Sequence, residues 1–214
     1  MNHDENISLW AKAAEGIDWF SKPELTLDDS KAPLYSWFSD GVCNTCFNSL
    51  DRHVTAGRGE QTAIIYDSPV TDTVEHWSYQ VLLDRVSRFA GALRSMGVEK
   101  GDRVVIYMPM VPEAAIAMQA CARIGAVHSV VFGGFAAAEL ASRIDDCKPK
   151  VVISASCGIE PGRLVAYKPL LDEAIERAQN KPRKCVILQR PQLLAAMQEG
   201  RDLDWVETEA GGEA

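Results

Sequence analysis

Residues 101–132 read GDRVVIYMPMVPEAAIAMQACARIGAVHSVVF. Val104-Val105-Ile106-Tyr107-Met108 is an unbroken apolar run of strand length behind a Gly101-Asp102 turn. Pro112 and Glu113 then open an almost wholly apolar segment, 114–124, which suits a buried helix because proline is tolerated in the first helical turn. A second apolar run, 128–132, follows Gly125. Strand, helix and strand in that order, with no polar alternation in either strand, is the signature of a parallel pair buried on both faces.

The same unit recurs downstream. Strand 128–132 precedes helix 137–147, strand 150–155 precedes helix 169–179, and strand 184–189 precedes helix 193–199. Upstream, Leu82, Val86, Phe89, Leu93 and Met96 recur at helical spacing after Ser78, and Gly97 supplies the stop. The pattern predicts an α/β fold: an open, mainly parallel sheet with helices on both faces, joined by right-handed crossovers. Residues 1–60 differ. Seven of the sixteen aromatics lie there, Trp10, Trp19, Phe20, Tyr35, Trp37, Phe38 and Phe47, among Pro, Ser and Asp breakers. We expect an irregular N-terminal arm over 1–60, its rings docked on an α/β unit over 61–214.

Composition removes several functional classes. Lys plus Arg number 22 against 30 Asp plus Glu, a net charge of −8, so a generic grip on nucleic acid or an anionic membrane is not expected. Apolar stretches stop short of the ~20 residues that a membrane-spanning helix needs. The polar, acidic start has neither a signal-peptide nor a transit-peptide pattern, which gives a cytoplasmic location as the expectation. The six cysteines are scattered, mostly inside apolar runs. Cys43 and Cys46 have CxxC spacing with His53 nearby, but without a second pair no metal or redox centre is expected.

In open parallel sheets, ligands bind outside the carboxyl ends of the strands. Two segments after predicted strands stand out. Phe132-Gly133-Gly134-Phe135 puts two glycines between strand and helix, where a ligand can approach the main chain near helix amides. Residues 154–163, SASCGIEPGR, are long enough to carry Arg163 over the same edge if the strands ending at Phe132 and Ala155 lie side by side. Arg163 would offer a planar fork of donors to a phosphate. On spacing alone, the glycine pair also reads as a plain tight turn and Arg163 as a solvated surface residue. There is no G-x4-G-K-[ST], GxSxG or HExxH. His53, His76 and His128 stand apart from any Ser or Cys nucleophile, so no catalytic residue is assigned.

Several stretches carry a resemblance: 44–54 (NTCFNSLDRHV), 77–92 (WSYQVLLDRVSRFAGA), 101–112, 117–142 and 149–163. They resemble the N-terminal part of the AMP-forming short-chain acyl-CoA synthetases, within the adenylating enzymes. YSWFSDGVCNTCFNSLDRHV and SASCGIEPGRLVAYKPLLDEAIE are more similar to the propionyl-CoA synthetase branch than to the acetyl-CoA branch. The resemblance implies a short-chain carboxylic acid, ATP with Mg, and coenzyme A as reactants. The acid passes through an acyl adenylate with release of pyrophosphate before transfer to the coenzyme thiol.

It further implies that Phe132, Gly133 and Gly134 line the pantetheine channel and that Arg163 holds the 3′-phosphoadenosine end. Glu160 stands where the acetyl-type loop has its first basic residue. The family's phosphate loop, adenine and ribose motifs, hinge and C-terminal lysine are not among these residues. The resemblance therefore implies a partial coenzyme site, downstream domains packed on this segment, and no adenylation by the 214 residues alone. Residues 200–214 read as a connector. A stand-alone coenzyme A-binding module, or a docking fragment without catalysis, is the alternative.

Overall fold

The computed structural model describes residues 3–214, apart from the side chain of Phe132. The arm begins with α1 (His3–Ala14), none of whose residues is buried, followed by a two-stranded antiparallel ribbon of β1 (Leu27–Asp28) and β2 (Ser36–Trp37). Two short helical segments wound wider than an α-helix cover Phe47–Asp51 and Val54–Arg58. Several of the arm's rings pack on one another. Trp10 meets Trp37 at 6.2 Å, Trp19 meets Phe38 at 5.7 Å and Phe20 meets Phe47 at 5.4 Å. The attachment is apolar and polar: Cys46 and Leu50 are buried in the core with residues of the helices Tyr79–Ser95 and Pro112–Ile124, Asn44 Nδ2 donates to the carbonyls of Ala122 and Arg123, and Arg123 pairs with Asp51 at 2.9 Å.

A hairpin of β3 (Thr62–Ser68) and β4 (Thr73–Ser78), absent from the sequence expectation, leads into α2 (Tyr79–Ser95). Ser78 caps α2, its hydroxyl accepting from the Val81 N–H at 3.3 Å. Then follow β5 (Arg103–Met108), α3 (Pro112–Ile124), β6 (Val127–Phe132), α4 (Ala137–Cys147), β7 (Val151–Ala155), β8 (Cys157–Glu160) and β9 (Arg163–Ala166). The chain continues through α5 (Tyr167–Arg177), β10 (Lys184–Leu188), β11 (Asp202–Asp204) and α6 (Trp205–Ala210).

The central sheet has the order β11-β10-β7-β5-β6, every pair parallel. Side chains alternate between two cores, as the period of a strand requires. Val104, Ile106, Ile153 and Val186 face α2, α3 and Trp205; Val105, Tyr107, Val152 and Ile187 face α4 and α5. The expected α/β sheet with both faces covered is what the protein forms.

Three local expectations are corrected. The strands ending at Phe132 and Ala155 are not neighbours, because β5 lies between them. Helix 193–199 does not form. Its backbone is held instead by Gln189, whose amide both accepts from Ala195 N and donates to Ala195 O at 2.9 Å. Such side-chain bonds offer the main chain an alternative to the helical ladder. Residues 200–214 are not a bare connector, since they supply the outer strand β11 and a helix whose Trp205 is wholly buried, stacked on Phe89 at 4.0 Å.

Candidate functional site at the carboxyl edge of the sheet

Because the five strands run parallel, the segments after β5, β6 and β7 emerge at one edge. After β6, Gly133 and Gly134 make the turn into α4. Gly134 has φ +109°, a value L side chains rarely adopt, and a side chain built there would meet nothing nearer than Glu160 Oε1 at 4.0 Å. That flank is open. Helix α4 starts from Ala136 with no side-chain cap, at the same turn.

The segment carrying Arg163 is a hairpin, with β8 and β9 paired antiparallel and Glu160 opposite Arg163. It is anchored below, where Ser156 N–H donates to Leu188 O at 2.8 Å and Tyr167 N–H donates to Ser156 O at 3.1 Å. Arg163 is 70% exposed and its Nε donates to Glu160 Oε2 at 2.6 Å. Glu160 therefore stands between the two predicted elements, one oxygen toward Gly134 and the other on Arg163. The sequence-predicted Gly133, Gly134 and Arg163 are brought to one edge. The backbone of Phe132 ends β6 there, and its side chain lies outside the described residues.

Two residues that sequence reasoning missed lie underneath. Tyr107 and Tyr167 stack at 4.9 Å, and Tyr107 Oη donates to Phe135 O at 3.0 Å. Burial raises the pKa of both phenols, that of Tyr167 to about 12 with Tyr107 and Glu160 adding to the effect, so both stay protonated at neutral pH. The missed signal was Gly158, a glycine inside a strand, which marks a close approach of another group.

Among the described residues, no hydrogen bond joins a Ser or Cys of this edge to a His, Asp or Glu. The thiols of Cys121 and Cys185 are pushed up to about 12 by burial. His53, its pKa lowered by desolvation and by Arg58 and Arg52, lies 3.1 Å from Arg58 in the region where the arm joins the α/β unit. A cleft of about 1190 Å³, lined by Phe20, Asn44, Lys100 and Arg123, lies at the other edge of the sheet, between the arm and α2.

Residues 50–210 match the family model described as AMP-binding enzyme, and residues 4–49 match the one described as acetyl-coenzyme A synthetase N-terminus. The chain belongs to the AMP-binding enzyme family. Among its relatives, acyl-CoA synthetase short-chain family member 3, mitochondrial, of Rattus norvegicus is 54% identical over 93% of this chain and 29% of its own. Acetyl-coenzyme A synthetase of Pasteurella multocida is 45% identical over 95% of this chain and 31% of its own. An uncharacterized protein of Pseudomonas aeruginosa, PA3568, is 54% identical over 98% of this chain and 33% of its own.

The chain thus spans about a third of the length of the curated relatives it matches. Acetoacetyl-CoA synthetase from Streptomyces lividans shares the fold, with a TM-score of 0.87 over 99% of this chain and 32% of its own at 23% identity. Within this AMP-binding enzyme segment, the described residues contain no group of three or more His, Cys, Asp or Glu able to hold a metal ion. Among the described residues, no helix is long and apolar enough to cross a membrane.

Proposed function

We propose that these residues form the N-terminal third of an AMP-forming short-chain acyl-CoA synthetase of the propionyl type, divided into an arm over 1–60 and an α/β subdomain over 61–214, and working in the cytoplasm. The observation that carries the reading is the open Gly134 flank and the Arg163 hairpin meeting through Glu160 at the carboxyl edge. A narrow pantetheine chain passes the glycine, where the main chain is uncovered. The guanidinium takes the phosphate end as it exchanges its partner Glu160 for phosphate oxygens.

ATP and Mg, when bound, supply the leaving pyrophosphate and the charge that stabilises its departure. No residue of this segment is assigned to that step, for it offers neither a phosphate loop nor a metal cluster among its described residues. The segment by itself is therefore a coenzyme-side half-site. The acid is held elsewhere, and propionate rests on the two stretches around Cys43 and Arg163.

The test is the intact mass of the native protein captured through this segment, followed by acid-dependent pyrophosphate release. Because the chain spans 29–33% of its relatives, a mass about three times 23.5 kDa is expected. That protein should release pyrophosphate with propionate, ATP and Mg, faster than with acetate. A native mass near 23.5 kDa overturns the synthetase reading and leaves a coenzyme A-binding module.

A further inference from the structure

Gly133 and Gly158 are glycines for a reason that their backbone does not explain, since neither has a positive φ. At Gly158 the reason is Tyr167, and at Gly133 it is Tyr167 together with the Met108 carbonyl, 3.0 Å from a side-chain carbon built there. A side-chain carbon built on Gly133 would lie 2.3 Å from Tyr167 Oη, and one built on Gly158 would lie 2.6 Å from the same atom. Real carbons do not approach so closely, and the tyrosine has little room to withdraw: it is 4% exposed and stacked on Tyr107. One phenol thus fills the side-chain space of two glycines on different elements, the turn after β6 and the strand β8 that leads to Glu160.

Tyr167 opens α5 directly after β9, so it is also fastened to the hairpin that bears Arg163. Tyr107 completes the brace by holding the Phe135 carbonyl at the far side of the turn. We propose that Tyr167 is a positioning residue: it sets the spacing between the Gly133-Gly134 turn and the Arg163 hairpin, and so matches the distance between the pantetheine and phosphate ends of one coenzyme. The ligand half of this inference rests on the coenzyme reading above, whereas the packing half stands without it. A glycine at 158 is then required only while residue 167 is large, whereas at 133 the Met108 carbonyl adds a second constraint. This coupling is a property of three positions together.

The experiment combines a double-mutant cycle with a divided ligand. Gly158→Ala is expected to lower the Tm by about 5 °C in the presence of Tyr167, through overpacking. It should have almost no effect in a Tyr167→Leu background, where the side chain no longer reaches the strand. Tyr167→Phe, which keeps the ring, should retain coenzyme binding. In Tyr167→Leu, coenzyme A is expected to bind about tenfold more weakly. Pantetheine and adenosine 3′,5′-bisphosphate, titrated separately, should keep their affinities, because each half-site survives and only the linkage between them is lost. Backbone relaxation of the Gly133 and Gly134 amides should report greater motion in that variant.

Additive stability changes overturn the proposal, as does an equal loss for coenzyme A and both of its halves. If the unaltered protein binds none of the three ligands, the coenzyme reading falls. The positioning role is then decided by the cycle and the glycine amides alone.

Discussion

Arg163 Nε sits 2.6 Å from Glu160 Oε2, an ion pair across the first rung of the β8–β9 hairpin. It leaves the edge of the candidate site with a cation already engaged. Coenzyme A carries a 3′-phosphate that its dephospho form lacks, and under the proposed coenzyme reading only the former would compete with Glu160 for the guanidinium. Glu160→Gln should therefore raise the preference for coenzyme A over dephospho-coenzyme A by about two- to fivefold, the scale of an exposed pair. Calorimetric titration of both ligands checks this, and an unchanged ratio would place the phosphate elsewhere.

Arg163→Ala is the converse case. It should cost roughly tenfold in affinity for coenzyme A and almost nothing for the dephospho form. Because Arg163 is 70% exposed, its loss should leave thermal unfolding unchanged, so any affinity change is a ligand effect and not a folding effect.

A buried network ties α5 to the outer strand. Lys168 Nζ lies 2.9 Å from Asp202 and 2.6 Å from Asp172, while Arg201 pairs with both carboxylates. Burial works to raise the Asp202 pKa, but hydrogen bonds from Arg201, the Gln198 N–H and Lys168 outweigh it and hold the group below its ordinary value. A depressed folded pKa stabilises above the unfolded value, about 3.9, and that contribution disappears as pH falls through the folded one. Asp202→Asn is expected to cost about 3 kcal/mol at neutral pH, with the gap to the parent narrowing below about pH 4. Urea unfolding at a series of pH values measures both.

Trp205 is fully buried, stacked on Phe89, and its Nε1 donates to Glu209 Oε2 at 2.8 Å. Glu209 in turn holds Arg85 through two 2.7 Å bonds. Trp205→Ala should destabilise by about 4 kcal/mol, and Trp205→Phe by clearly less, because the stack survives and only the indole bond is lost. Loss of near-ultraviolet circular dichroism at lower denaturant is the measurement.

The 214 residues alone, given propionate, ATP and Mg, should release no pyrophosphate above the uncatalysed rate. A coupled phosphate assay decides it, and acid-dependent turnover would show that the segment carries adenylation groups unrecognised above.

The readable part of this fold was the part whose burial is two-sided. Runs such as Val104 to Met108 have no polar alternation because both faces are covered, and Pro112 and Gly125 mark the helix between the strands from the chain itself. Strand order was not readable, since apolar runs of similar make-up do not say which neighbour β5 takes. Residues 193–199 have helical composition, yet Leu194 is exposed and the Gln189 amide captures Ala195, an outcome set by a contact six residues away. At the site, Gly134 and Arg163 were visible as residue types after strands. Tyr167 was not, because a tyrosine at a helix start looks ordinary until the ring is seen between two glycines.

The stack of Trp205 on Phe89 has a bearing on how the protein is made. Phe89 lies in the first half of the chain, and the groups that seal it, Trp205, Glu209 and the backbone crossing of Glu213 over Gly91, all come from the last ten or so residues. On the ribosome, α2 must therefore wait with its aromatic flank bare while more than a hundred further residues are added. Its core closes only at the end of this segment's synthesis, so an interruption in translation anywhere between the two would leave a sticky nascent intermediate for chaperones to guard.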